Sequence, residues 1–137
     1  MSSDFLWVDE VVGCGWRLGA VGPDEWDCFT VVEYGFKRTW NVNLELPQGA
    51  SVEPLAFDRA VNTAMQVGGW RRVAAPVAGC VVFMSRSVKF HHMGMWVPVN
   101  GGRVLHAAEG VGVRLEPLRS ITGQYQRVEF WLYECVG

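Results

Sequence analysis

The apolar residues of this chain change rhythm about halfway along, and that change limits the possible folds more than any other feature. From Asp27 or Cys28 onward, Phe29, Val32, Phe36 and Trp40 recur at i, i+3, i+7 and i+11, the stripe of one helix face. A second helical pattern runs roughly from Leu55 to Val67, with Leu55, Val61, Ala64 and Met65 on its buried side, and stops at Gly68-Gly69. Residues 4–12 suit a short helix with Asp4 near its start, and the glycines and Pro23 between Gly13 and Glu25 make that stretch a loop. Beyond Gly69 the helical spacing is gone. Val81–Met84, Met93–Val97, Arg103–Ala107, Val111–Leu115 and Gln126–Tyr133 are short runs rich in β-branched and aromatic residues, separated by turn residues. Asn100-Gly101 suits a tight hairpin. Helices first and strands afterwards predict an α+β arrangement: N-terminal helices packed on an antiparallel sheet of about five strands, in one domain spanning 1–137.

Bulk properties narrow the partners. Half of the 137 residues are hydrophobic and 19% are charged, which is enough apolar side chain for one core. The net charge is −2, and the longest basic runs are the pairs Lys37-Arg38 and Arg71-Arg72, so nucleic acid and anionic membranes are not expected partners. Residues 1–12 carry three acids and no basic residue, unlike a secretory signal. The expectation is synthesis in the cytoplasm without a signal peptide. The longest mostly apolar stretch, Val73 to Met84, is interrupted by Pro76 and Gly79 and is too short to span a bilayer.

Four cysteines stand at 14, 28, 80 and 135 with no CxxC pair and no zinc-like spacing to the histidines, so a Cys/His zinc site is not expected, and thiol chemistry of the kind considered below needs no metal or organic cofactor. Cys14, Cys80 and Cys135 read as small buried apolar residues with free thiols. Cys28 has a chemical context. A thiol attacks a carbonyl well only as thiolate, and a helix N-terminus or a neighbouring imidazolium lowers its pKa. Cys28 opens the helical stripe. His92 starts an alternating run in which His92, Gly94 and Trp96 face one way and Met93, Met95 and Val97 the other. Gly94 leaves room for a substrate or a helix to come close. His106 lies on the next strand, where it could orient the ring of His92. His91 competes for the same role, because neighbouring strand residues point to opposite faces and only one of the two can face Cys28.

Four segments, in order, resemble the NlpC/P60 cysteine peptidases. In that family PYRWGG…FDCSGLV is followed by GDLVFF, HVGIY and a strand reading IHA. Here WRLG…WDCFTVV, AGCVVFM (Ala78 to Met84), HMGMW (His92 to Trp96) and LHA (Leu105 to Ala107) stand in their places. The resemblance implies a papain-like fold with Cys28 as nucleophile, His92 as general base and acid, and His106 as the orienting third residue. It implies a peptidoglycan stem peptide as substrate, with Asp27, Trp16 and Phe29 at the positions that hold its amine. Trp16 replaces the family tyrosine, Phe29-Thr30 replaces Ser-Gly, and Cys80 stands where the family has the Asp of GD, so substrate selection is expected to differ. GPDEWDC, GGWRRV and GVGVRLEPL are similar to members encoded with phage tail genes. That implies other tail-tip proteins as partners and a place in the virion tail, acting at the cell wall. A second reading keeps the fold as a weakly active or inactive structural part of a tail tip. A third gives the same Cys–His layout to CHAP-type amidases or lipid acyltransferases.

Overall fold

The computed structural model describes residues 3–44, 58–59, 61–63, 66, 68–86 and 92–134. A turn of 3-10 helix, Ser3–Phe5, and the short helix α1, Val8–Val11, come first. The two-residue strands β1, Gly15–Trp16, and β2, Glu25–Trp26, pair in parallel and bracket the glycine-rich loop. Helix α2, Cys28–Trp40, begins and ends where the apolar stripe does. Within the expected second helix, residues 58, 59, 61–63 and 66 are helical and Val61 is buried; Leu55, Ala64 and Met65 lie outside the described residues.

The second half forms one six-stranded antiparallel sheet. Its strands are β3 (Trp70–Val73), β4 (Cys80–Ser85), β5 (His92–Val97), β6 (Arg103–Ala108), β7 (Gly112–Glu116) and β8 (Arg127–Tyr133). Two features depart from the expected five-stranded meander. Trp70–Val73, with Arg71 and Arg72 in its middle, is a strand at the sheet edge, where solvent accepts its charged residues. The spatial order is β3-β8-β4-β5-β6-β7, so the last strand returns between the first two. A short helix α3, Leu118–Gln124, which sequence periodicity did not predict, carries the chain back. At seven residues it is too short to show a repeating stripe. The β5–β6 turn is as expected: Asn100 and Gly101 both have positive φ, at 52° and 83°.

The sheet has two covered faces. On one, Val31, Val32 and Phe36 of α2 pack with Trp7, Val8 and Val11 against Phe83, Met93, Met95 and Leu105. Each such side chain contributes about 1.5–3 kcal/mol when fully removed from water. The buried stripe of α2 is rotated from the expected one, because Phe29 and Trp40 are only half-buried while Val31 and Gly35 are buried. Gly35 permits the close approach: a Cβ there would lie 2.5 Å from both Met95 Sδ and the Trp7 ring. On the other face, Val82, Met84 and Val104 meet Ile121 and Tyr125 of the α3 segment. The alternation of β5 therefore holds, with Met93 and Met95 toward α2 and Trp96 toward α3. Among the described residues no helix is long and apolar enough to cross a membrane.

Candidate active site

Cys28 is the first residue of α2, and the turn before it is fixed by its own sequence. Asp27 is the N-cap. Its Oδ1 accepts the amides of Phe29 at 2.9 Å and Thr30 at 2.8 Å, and its Oδ2 accepts the amide of Gly19 at 2.9 Å. Thr30 Oγ1 accepts the Asp27 amide at 2.9 Å, which completes a capping box, and donates to the carbonyl of Ala20 at 2.6 Å. Such a cap contributes about 1 kcal/mol. Asp27 is almost wholly buried, so its carboxylate faces the chain's own amides. Trp16 and Phe29 are half-buried and pack on the edge of the α2 cluster.

The environment of Cys28 differs from the expectation of a lowered pKa. Burial, and next the charge of Asp27, push the thiol up to about 12, although the amides of Met93, Cys28 and Phe29 donate hydrogen bonds to the sulfur and act the other way. A helix N-terminus favours an anion, but here desolvation is the larger effect. The resting group is a neutral thiol. Cys14 and Cys80 are also free thiols, Cys14 only half-buried against expectation, and Cys135 lies outside the described residues.

The sulfur meets β5 at Met93, the residue after His92, beyond the end of the β5–β6 register that runs from Met95↔Leu105 to Val97↔Arg103. His92 and His106 are both buried and in direct contact, with His92 Nε2 at 2.8 Å from His106 Nδ1. His91, the competing residue, lies outside the described residues. Gly94 has a role other than the expected one of admitting substrate or helix. A Cβ there would sit 2.6 Å from the Leu105 carbonyl oxygen and 3.0 Å from His106 Cβ, so glycine lets β6 carry His106 up to β5.

Sequence reasoning missed the rest of this chain of contacts. His106 Nε2 lies 2.5 Å from Oε2 of Glu116, and Gln124 donates from Nε2 to Glu116 Oε1 at 3.1 Å. The signal was the β6–β7 register: Glu116 pairs with Val104, which makes it the diagonal neighbour of His106 on the same face. The two glycines at 110 and 112 left that register open in the sequence. Burial, opposed by Glu116, pulls the His106 pKa below its ordinary value, so the ring is neutral at neutral pH. Burial pushes Glu116 up, but its hydrogen bonds from His106 and Gln124 and the nearby charge of Arg114 bring it below the usual carboxylate value. Tyr125 stacks on His92 with ring centroids 5.9 Å apart and planes 18° apart, and Arg86 lies over the Tyr125 ring at 4.8 Å. Among the described residues no group of three or more His, Cys, Asp and Glu side chains is arranged to hold a metal ion. The arrangement offers a thiol at a helix start, hydrogen-bonded by the strand residue that follows His92, and an imidazole pair that ends on a carboxylate. Those are the parts of a thiol acyl-transfer site.

The fold is shared with solved structures of remote sequence. The NlpC1 protein of Trichomonas vaginalis is 19% identical and superposes with a TM-score of 0.63 over 92% of this chain and 41% of its own. NlpC2 of the same organism is 18% identical, with a TM-score of 0.63 over 92% of this chain and 44% of its own. The chain thus spans less than half the length of either structure. No curated protein matches its sequence. The model of the NlpC/P60 family matches residues 13–132, nearly the whole chain, and the chain belongs to that family.

Proposed function

We propose that this protein is a cysteine peptidase or amidase that cleaves peptidoglycan stem peptides. Family membership points to peptidoglycan-related hydrolysis. The observation that carries the reading is the meeting of the Cys28 sulfur with the strand that begins at His92, whose ring is held by His106. Cys28 attacks the carbonyl carbon of the scissile amide while its proton passes to His92. The oxyanion is held by the backbone amide of Cys28, because the next amides of α2, those of Phe29 and Thr30, are taken up by Asp27. His92 then protonates the leaving amine and a thioester remains on Cys28; water attacks the thioester as His92 takes its proton, the C–S bond breaks to release the acid, and His92 returns the proton to the sulfur. Because the resting thiol is neutral, proton transfer accompanies attack instead of preceding it.

Substrate choice follows from the half-exposed rings of Trp16 and Phe29 beside the nucleophile's helix. Neither provides the hydroxyl that the family uses toward a free amine, and Asp27, the third position carried over from the family, is engaged by three backbone amides. The proposed substrate is therefore an intact, glycan-linked or cross-linked stem whose amine is already acylated. The segments GPDEWDC, GGWRRV and GVGVRLEPL support a setting in a phage tail, where the enzyme opens the wall in company with other tail-tip proteins. Purified wild type is expected to release peptide fragments from intact sacculi in preference to free tripeptide, and Cys28→Ser to release none. Equal release by wild type and Cys28→Ser would exclude Cys28 as the nucleophile. Detection of the protein by mass spectrometry in purified tail particles tests the setting.

A further inference from the structure

We propose that Glu116 is a positioning residue of this site: its carboxylate selects the Nε2–H tautomer of His106 and, through that ring, the Nε2–H tautomer of His92. The inference rests on the reading of Cys28 and His92 as nucleophile and base, and it adds a residue outside that set.

An ionised carboxylate only accepts hydrogen bonds, and a neutral imidazole has one N–H and one bare nitrogen. The 2.5 Å contact between Glu116 Oε2 and His106 Nε2 therefore requires the His106 hydrogen at Nε2. Nδ1 of His106 is then a bare acceptor, and its 2.8 Å contact with His92 requires the His92 hydrogen at Nε2. That leaves Nδ1 of His92 with its lone pair, the state able to receive a thiol proton. Two histidines alone have no such direction. The reversed arrangement, with both hydrogens at Nδ1, makes the same bond between the rings but leaves His92 without a free base nitrogen. A carboxylate at one end breaks the symmetry. When His92 takes a proton its Nε2–H still donates to His106, so the chain of contacts has no need to rearrange during the reaction.

The structure holds Glu116 in place for this. Its side chain is 15% exposed, its second oxygen accepts from Gln124, and the β6–β7 register sets it on the face that carries His106. Its hydrogen bonds from His106 and Gln124 and the charge of Arg114 keep it ionised, and burial keeps His106 neutral, so the carboxylate accepts and the ring donates.

The test uses the full chain labelled with ¹⁵N and needs no peptidoglycan. Ring-nitrogen NMR reads the tautomers, and peptide mass spectrometry reads the rate of Cys28 alkylation by iodoacetamide, with Cys14 as internal reference. In wild type both rings are expected to carry hydrogen at Nε2. In Glu116→Gln, Nδ1–H forms of both should appear, and alkylation of Cys28 relative to Cys14 should fall about tenfold, since a wrong tautomer disables the base. Gln124→Leu, at an exposed position, keeps the carboxylate but loosens it and should shift both readouts the same way by about twofold. Unchanged tautomers in both variants overturn the proposal, as does a fall in alkylation without a tautomer change. A protein with these tautomers that digests no wall contradicts the substrate reading and leaves the role of Glu116 intact.

Discussion

The two halves of the site are built in opposite ways. The nucleophile's half is local: Asp27, Thr30, Ala20 and Gly19 fix the turn that presents Cys28, all within about a dozen residues of chain. The base's half is assembled from a distance: His92, His106, Glu116 and Gln124 come from β5, β6, β7 and α3. Their electrostatics are opposed as well. Burial at the local half penalises the charge its chemistry needs, whereas the distant half ends on a carboxylate that stabilises an imidazolium at His92. On the proposed reading, the helix start supplies position and the strand relay supplies reactivity.

That contrast can be broken first at the base. His92→Ala removes the proton acceptor from a thiol that is neutral at rest, so turnover on sacculi should fall by about 10³-fold or more, measured as released peptide per hour. A loss under about tenfold would mean that Cys28 is activated by its helix start alone.

A second test separates assembly from chemistry. Gly94→Val places a side chain against the Leu105 carbonyl and His106 Cβ, and should cost about 1–3 kcal/mol of stability, read by thermal unfolding, with a large loss of activity. Gly35→Ala meets Met95 and Trp7 instead and should destabilise to a similar degree while the folded protein keeps its activity. Equal activity losses in the two variants would show that the histidine pair is not specially sensitive to β5–β6 spacing.

The smallest effects should appear in the protonation of the nucleophile. The folded thiol of Cys28 titrates near 12 and the unfolded thiol near its ordinary 9.0. Below pH 9 both states keep the proton. Above it the unfolded state loses the proton first, so this group's contribution to stability is lost as pH rises from 9 toward 12. Chemical denaturation across that window should give a shallower decline for Cys28→Ser than for wild type. Asp27→Asn keeps an oxygen for the amides of Phe29 and Thr30 while removing the charge that raises the thiol. The alkylation midpoint of Cys28 should move to lower pH. Stability should drop by about 1 kcal/mol, because the Gly19 amide no longer has a carboxylate oxygen to donate to. An unmoved midpoint would assign the raised value to burial alone.

Much of this architecture is set by the sequence itself. The helix from Cys28 to Trp40, the Asn100-Gly101 turn, the alternation along β5 and the family motifs around Cys28, His92 and His106 depend on interactions within a few residues, and periodicity and turn chemistry record those directly. Three things depended on the tertiary structure. The insertion of β8 between β3 and β4 is a pairing of residues 42 to 63 positions apart, for which a strand pattern holds no address. The neutral state of Cys28 arises because desolvation depends on everything packed around the sulfur, whereas the helix start visible in the sequence is one opposing contribution. Glu116 joins the histidines because the β6–β7 register sets it diagonal to His106, and a shift of one residue would have turned it to the other face of the sheet.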